Sequence, residues 1–291
     1  MAEPRLPEKA SVRRAFERAA GTYDAHSVLQ REVGERLLAH LDPMRLTPAR
    51  ILDLGCGTGM SFEALSRRFP RAGLIGMDLA QAMLGRASAR SPAWRRWLGA
   101  RAPRLVCADA ERLPFAAGSA GLVFSNLALQ WCDPAAVFRE VARVLGTGGV
   151  FLFSTFGPDT LKELRAAFSR VDSAEHVNTF VDMHDLGDLL VHSGLAEPVM
   201  EMEMITLEYA SVDALLRDLR AIGARNSMPG RPRGMPGRRR WQAMVAEYER
   251  ARRDGALPAS YEVIYGHAWK PAPRAVPDGR HVIEFHGRSK S

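Results

Sequence analysis

The sequence predicts an α/β protein: a parallel sheet with helices on both faces. Three observations carry that prediction. From Ala49 onward, short apolar runs alternate with amphipathic stretches, the pattern of strands linked by crossover helices. One run, Ile51-Leu52-Asp53-Leu54, holds an acid and leads straight into glycines at alternate positions, Gly55, Gly57 and Gly59, which reads as a buried strand turning sharply into a helix. Two later runs also end in acids, Asp78 after Leu74-Ile75-Gly76-Met77 and Asp109 after Cys107-Ala108. Carboxylates at successive strand ends mark the edge where open α/β sheets bind their ligands.

The elements follow in order. Residues 8–42 read as amphipathic helix, with Val12, Phe16, Ala19 and Ala20 on one side and then Leu29, Val33, Leu37 and Leu41. Gly21-Thr22-Tyr23-Asp24 interrupts that pattern and supplies a start for a second helix. Strands are expected near 50–54, 73–78, 104–108, 121–126 and 149–155, with helices near 59–69, 80–90 and 134–145. Gly146-Thr147-Gly148-Gly149 reads as the turn between a helix and the fifth strand. Beyond Phe156 the pattern gives helices from Pro158 to Arg170, over 182–193 and over 211–222, with a strand from Pro198 to Tyr209. Arg225 to Arg240, rich in Pro, Gly and Arg, reads as a mobile loop, followed by a helix near 240–254 and a last strand from Tyr261 to Trp269. Residues 281–285 could add a short strand. The organisation expected is a helical lid over 1–45, a core over 46–210, a helical insertion with the basic loop over 211–258, and the last core strand with the tail over 259–291.

With 46% hydrophobic and 25% charged residues, the 291-residue chain has the composition of an ordinary soluble protein. The net charge of +7, carried mainly by arginine, suggests an acidic partner without choosing its class. Cys56, Cys107 and Cys132 show no metal-like or redox spacing and each lies in or beside an apolar run, so all are expected as buried small hydrophobes. Their odd number fits a reducing compartment, and no apolar run approaches a membrane span, so a cytoplasmic protein is expected.

The glycine turn differs from the dinucleotide pattern G-x-G-x-x-G, and Asp53 beside it disfavours a bound anion. A cationic or zwitterionic ligand fits better. Asp53-x-Gly55-x-Gly57-x-Gly59 resembles motif I of the class I S-adenosylmethionine-dependent methyltransferases. That resemblance implies a Rossmann-like seven-stranded sheet with S-adenosylmethionine as cofactor. It also implies a cofactor site drawn from Asp53, Gly55, Cys56, Gly57, Gly59, Asp78, Leu79, Asp109, Ala110 and Asn126. Asp78, about twenty residues beyond the glycines, would take the ribose hydroxyls, and Asp109 the adenine amino group.

Four further segments narrow the resemblance. Phe16 to Asp24, Ser125 to Cys132, Ser154 to Leu161 and Glu262 to Trp269 are similar to the malonyl-carrier-protein O-methyltransferase family of biotin synthesis. What this implies is methylation of the free carboxylate of a malonyl thioester held on acyl carrier protein, with no nucleic-acid or membrane partner and no metal. A carboxylate of pKa about 4 is already ionised at neutral pH, so no general base is required. The enzyme must instead align the attacking oxygen with the methyl group and exclude water. Tyr23 would reach the cofactor from the lid. Arg165, Arg220 and His176 are candidates to hold the substrate, and Arg238, Arg239 and Arg240 to dock the acidic carrier. Trp131, directly after a buried strand, is expected in the core. Three rival readings stay open: a methyltransferase-like protein-arginine hydroxylase that assists respiratory complex assembly, a small-molecule carboxyl or quinone methyltransferase, and an RNA-binding protein with a vestigial cofactor site.

Overall fold

The computed structural model describes residues 6–90, 102–231, 234 and 237–272. The short strand expected at 281–285 lies outside the described residues. The strands are β1 (Arg50–Leu54), β2 (Gly73–Asp78), β3 (Arg104–Cys107), β4 (Ala120–Asn126), β5 (Leu145–Phe156), β6 (Ala196–Tyr209) and β7 (Leu257–Trp269). They form one seven-stranded sheet in the order β3-β2-β1-β4-β5-β7-β6. β3 to β5 pair in parallel, as the alternation predicts, whereas β7 runs antiparallel to both β5 and β6. The end of β6 at Tyr209 lies opposite the start of β7 at Leu257, so the connection joins the two strands at one end of the sheet and the pair is antiparallel.

Helices cover both faces. The helices are α1 (Lys9–Ala19), α2 (Tyr23–His26), α3 (Val28–Ala39), α4 (Phe62–Arg68), α5 (Gln81–Arg90), α6 (Pro134–Val144), α7 (Lys162–Ser169), α8 (Met183–His192), α9 (Val212–Ala221) and α10 (Arg238–Glu249). On one face Leu37, Leu65, Leu164, Leu215 and Met244 of α3, α4, α7, α9 and α10 pack on Ile51, Leu122 and Val150. On the other, Val137, Phe138 and Val141 of α6 and Leu186 and Leu190 of α8 pack on Leu52, Val123 and Phe151. Adjacent residues of one strand thus serve opposite cores, which is why these strands read as continuous apolar runs. Local signals start several helices: Asp133 accepts from Ala135 N–H at 3.0 Å ahead of Pro134, and Asp182 accepts from His184 N–H at 2.8 Å. Each such cap contributes about 1 kcal/mol.

Three local expectations change. Gly146 to Gly149 belong to β5, where Gly148 (φ 73°) accommodates an irregularity in the pairing with β4 while Gly148 N–H donates to Lys270 O at 2.9 Å. The backbone there is tied into the sheet and is not a free turn. Arg238 to Arg240 begin α10 rather than ending a loop. Cys56 is buried, but Cys107 is exposed because β3 is an edge strand, and Cys132 is half-buried beyond the strand ends.

Candidate active site

Two cavities open at the carboxyl ends of the parallel strands. The first is bounded by the ends of β1, β2 and β4. Gly55 and Gly57 take positive φ (70° and 53°), a backbone that side chains seldom adopt. A Cβ on Gly55 would come within 2.3 Å of the Ala128 methyl, whereas one on Gly57 would meet nothing because that glycine faces the open cleft. Asp78 closes the turn: its carboxylate accepts from Gly57 N–H at 2.9 Å and Ala80 N–H at 2.8 Å. Leu79, Asp109, Ala110 and Asn126 complete this wall.

The remaining residues expected for the cofactor stand behind the wall. Gly59 packs against the Phe62 ring, and Cys56 and Asp53 are buried. Asp53 is only 2% exposed and one of its carboxylate oxygens has no hydrogen-bond partner. Burial, and then the nearby Asp78 carboxylate, push its pKa up to about 8. In the empty cleft Asp53 is therefore held mainly in its neutral form, and a cation placed beside it favours its charged form. Open space over Gly57, acids at the strand ends and an orphaned carboxylate oxygen fit a cationic sulfonium nucleoside such as S-adenosylmethionine.

The N-terminal helices cover this cleft. Lys9 on α1 forms ion pairs with Asp109 and, at 2.5 Å, with Glu111. Glu17 accepts from Gln81 N–H at 2.8 Å and Ala82 N–H at 2.9 Å, capping α5 from the helix above it. Thr58 donates to Asp24 at 2.5 Å, and Phe16 meets the Trp131 ring edge-on with centroids 5.4 Å apart. Trp131 is thus not core. It is half-buried and faces both cavities, because a 3₁₀ turn over Leu129–Trp131 swings it away from the sheet.

The second cavity, about 280 Å³, lies between the sheet and α7, α9 and α10. Phe156, Leu161, Leu164, Phe180 and Leu219 make it largely apolar. Its near wall is held by a staple between two distant segments. Asp159 N–H donates to the Glu262 carboxylate at 2.6 Å, Gly157 N–H to Glu262 O at 2.8 Å, and Thr160 hydroxyl to Glu262 O at 3.1 Å. A Cβ on Gly157 would collide with that carboxylate at 2.3 Å. This explains the Phe-Gly-Pro-Asp-Thr pattern locally.

Phe16, Tyr23, Leu127 and Trp131 line both cavities. Leu127 has φ 48°, a strained conformation for a leucine, fixed by two hydrogen bonds from its N–H to Ser154 O at 3.1 Å and Ser154 Oγ at 3.0 Å. Tyr23 keeps its proton, since burial and the Asp78 and Asp24 carboxylates raise its pKa. Of the substrate candidates, Arg220 is an exposed residue at the second cavity, and His176 lines it, stacked on Phe168 at 3.8 Å and bonded to Asp172 at 2.8 Å. Arg165 does not line it. Its guanidinium is committed to the carbonyls of Pro158 (2.6 Å), Thr160 (3.2 Å) and Asn178 (3.3 Å) and holds the loop that forms the wall. Arg238 to Arg240 are exposed on α10, next to Trp241, which does reach the cavity. Reasoning from sequence missed Lys9, Gln30, Gln130 and Arg225 at these sites: Lys9, Gln30 and Arg225 sit in amphipathic or loop segments that carry no motif, and Gln130 lies in the Ser125 to Cys132 segment, where the resemblance gives it no role.

Residues 52–153 match a family described as a methyltransferase domain. The chain is 54% identical to the malonyl-(acyl-carrier protein) O-methyltransferase of Laribacter hongkongensis over 98% of both chains, and 52% identical to that of Gallionella capsiferriformans over 95% of this chain and 96% of that one. It belongs to the malonyl-(acyl-carrier protein) O-methyltransferase family. The YcgJ protein of Bacillus subtilis shares the fold, with a TM-score of 0.57 at 20% identity over 82% of this methyltransferase and 99% of that chain. Among the described residues of the methyltransferase, no helix is long and apolar enough to cross a membrane, and no cluster of side chains could hold a metal ion.

Proposed function

We propose that this protein transfers the methyl group of S-adenosylmethionine to the free carboxylate of a malonyl thioester on acyl carrier protein, in the cytoplasm. The observation that carries the reading is the shared wall: Phe16, Tyr23, Leu127 and Trp131 border both cavities, so a donor in one and an acceptor in the other meet there. The relatives' common name supplies the acceptor.

When bound, S-adenosylmethionine supplies an electrophilic methyl group on a cationic sulfur. Gly55, Gly57, Asp78, Leu79, Asp109, Ala110 and Asn126 would hold it, and Asp53 behind the turn, neutral while the cleft is empty, would give up its proton as the cation binds. Residues 1–45 act as its lid and 211–258 as the substrate side. The remaining work is alignment. Phe16, Leu127 and Trp131 are apolar and exclude water where oppositely charged groups neutralise each other, which favours the transition state over the separated ions. Tyr23, held neutral at the wall the two cavities share, would position the groups that meet there and would not act as a base. No base is needed for a carboxylate nucleophile.

Incubated with the cofactor, malonyl-carrier protein should gain one methyl group as an ester that alkali removes. Methylation or hydroxylation of an arginine side chain instead would sink the reading.

A further inference from the structure

One buried polar atom in the described wall of the second cavity has no partner within the protein. Gln30, on α3, lines the cavity, and its side-chain oxygen is buried without a hydrogen-bond partner, the only such atom among the described residues of that wall. The other amides of that wall and its histidine are satisfied. Gln130 donates to Leu127 O at 2.6 Å and accepts from Thr155 at 3.4 Å; Asn178 accepts from Ser227 N–H at 3.2 Å; Asn226 accepts from Met228 N–H at 3.0 Å; His176 is paired with Asp172. Folded proteins seldom leave a buried amide unpaired, because nothing repays its lost hydration.

Gln30 also stands close to where the cavities meet. Its backbone carbonyl accepts from Asn126 Nδ2 at 2.8 Å, Asn126 lines the cofactor cleft, and the next residue, Leu127, borders both cavities. Gly34, one turn further along α3, leaves room for this bond: a Cβ there would lie 2.9 Å from Asn126 Nδ2. The arginines of the cavity, Arg220 and Arg225, are exposed instead.

We infer that Gln30 binds the substrate carboxylate, donating an amide N–H to the oxygen that does not attack. The amide oxygen is sealed from solvent, so a carboxylate entering the cavity meets the amide at its N–H side. A neutral donor suits this chemistry. The carboxylate loses its charge as the methyl group arrives, so a guanidinium in contact would stabilise the ground state more than the transition state and slow transfer. An amide fixes the direction of the oxygen with a smaller penalty of that kind.

The inference rests on the malonyl reading, and its test separates the two. Gln30→Leu is close in size and removes the unpaired amide, so its melting temperature should equal or exceed the wild-type value and its affinity for S-adenosylhomocysteine should be unchanged. Its kcat/KM for malonyl-carrier protein should fall about tenfold to a hundredfold, the worth of a hydrogen bond to a charged group. Gln30→Glu, which sets a second carboxylate against the first, should lose more. An inactive wild type would overturn the activity reading and this inference together. An active wild type with an equally active Gln30→Leu or Gln30→Glu overturns the inference alone, as does loss of melting temperature and nucleoside affinity in step with activity, which would make Gln30 structural.

Discussion

Asp53 shows how much one residue can say and conceal. Its place before the glycines is plain in the sequence, but its state is not. Only packing shows that it is nearly inaccessible, with an unpaired oxygen, and that its pKa rises to about 8. The folded value lies above the unfolded one of about 4, so the stability it lends below that pH is lost as pH climbs through about 8. Without cofactor, Asp53→Asn should therefore flatten the fall of melting temperature over this range and melt higher than wild type at its upper end. S-adenosylmethionine, being cationic, should bind wild type more tightly as pH rises, an increase the variant should not share. Superimposable curves would mean that Asp53 is not buried as described. Trp131 and Gln30 teach the converse lesson: each is an ordinary residue in its segment, and only the approach of α1, α3 and the 3₁₀ turn to one another makes them wall.

At the scale of elements, the strands and helices were legible because each carries its own period and its own stops, as with Asp133-Pro134 or Asp182. Pairing direction was less so: nothing within β7 states that it runs against β5. The lid is a second case. Its amphipathic face was readable, but not what it grips. Lys9, with its side chain 35% exposed, ties α1 to Asp109 and Glu111, the first of which resemblance assigns to the adenine. Partly exposed pairs of this kind contribute up to about 1 kcal/mol. Lys9→Met should accelerate amide exchange in Lys9–Ala19 by up to about fivefold while leaving the core strands unchanged. Unaltered exchange would show that Phe16 and Glu17 hold the helix without it.

The whole molecule is where sequence reading runs out, because the substrate cavity gathers residues from Phe16 to Tyr261 that no motif links. Charge also acts at this scale. Arg238, Arg239 and Arg240 crowd the first turn of α10, where no acid accompanies them and the helix dipole opposes them. A cost to helix stability next to the cavity is consistent with a use for that charge. Reversing all three to Glu should preserve or improve thermal stability. It should raise KM for carrier-bound substrate on the order of tenfold and leave a short malonyl thioester unaffected. Equal changes for both substrates would remove the docking role.

The central claim is that two cavities meet so that a free carboxylate receives the methyl group. Initial rates of label transfer from S-adenosylmethionine to malonyl-carrier protein and to acetyl-carrier protein, measured side by side, test it most directly. Transfer to the malonyl form alone is the expected result. Equal transfer to the acetyl form, or none to either with the cofactor bound, would contradict it.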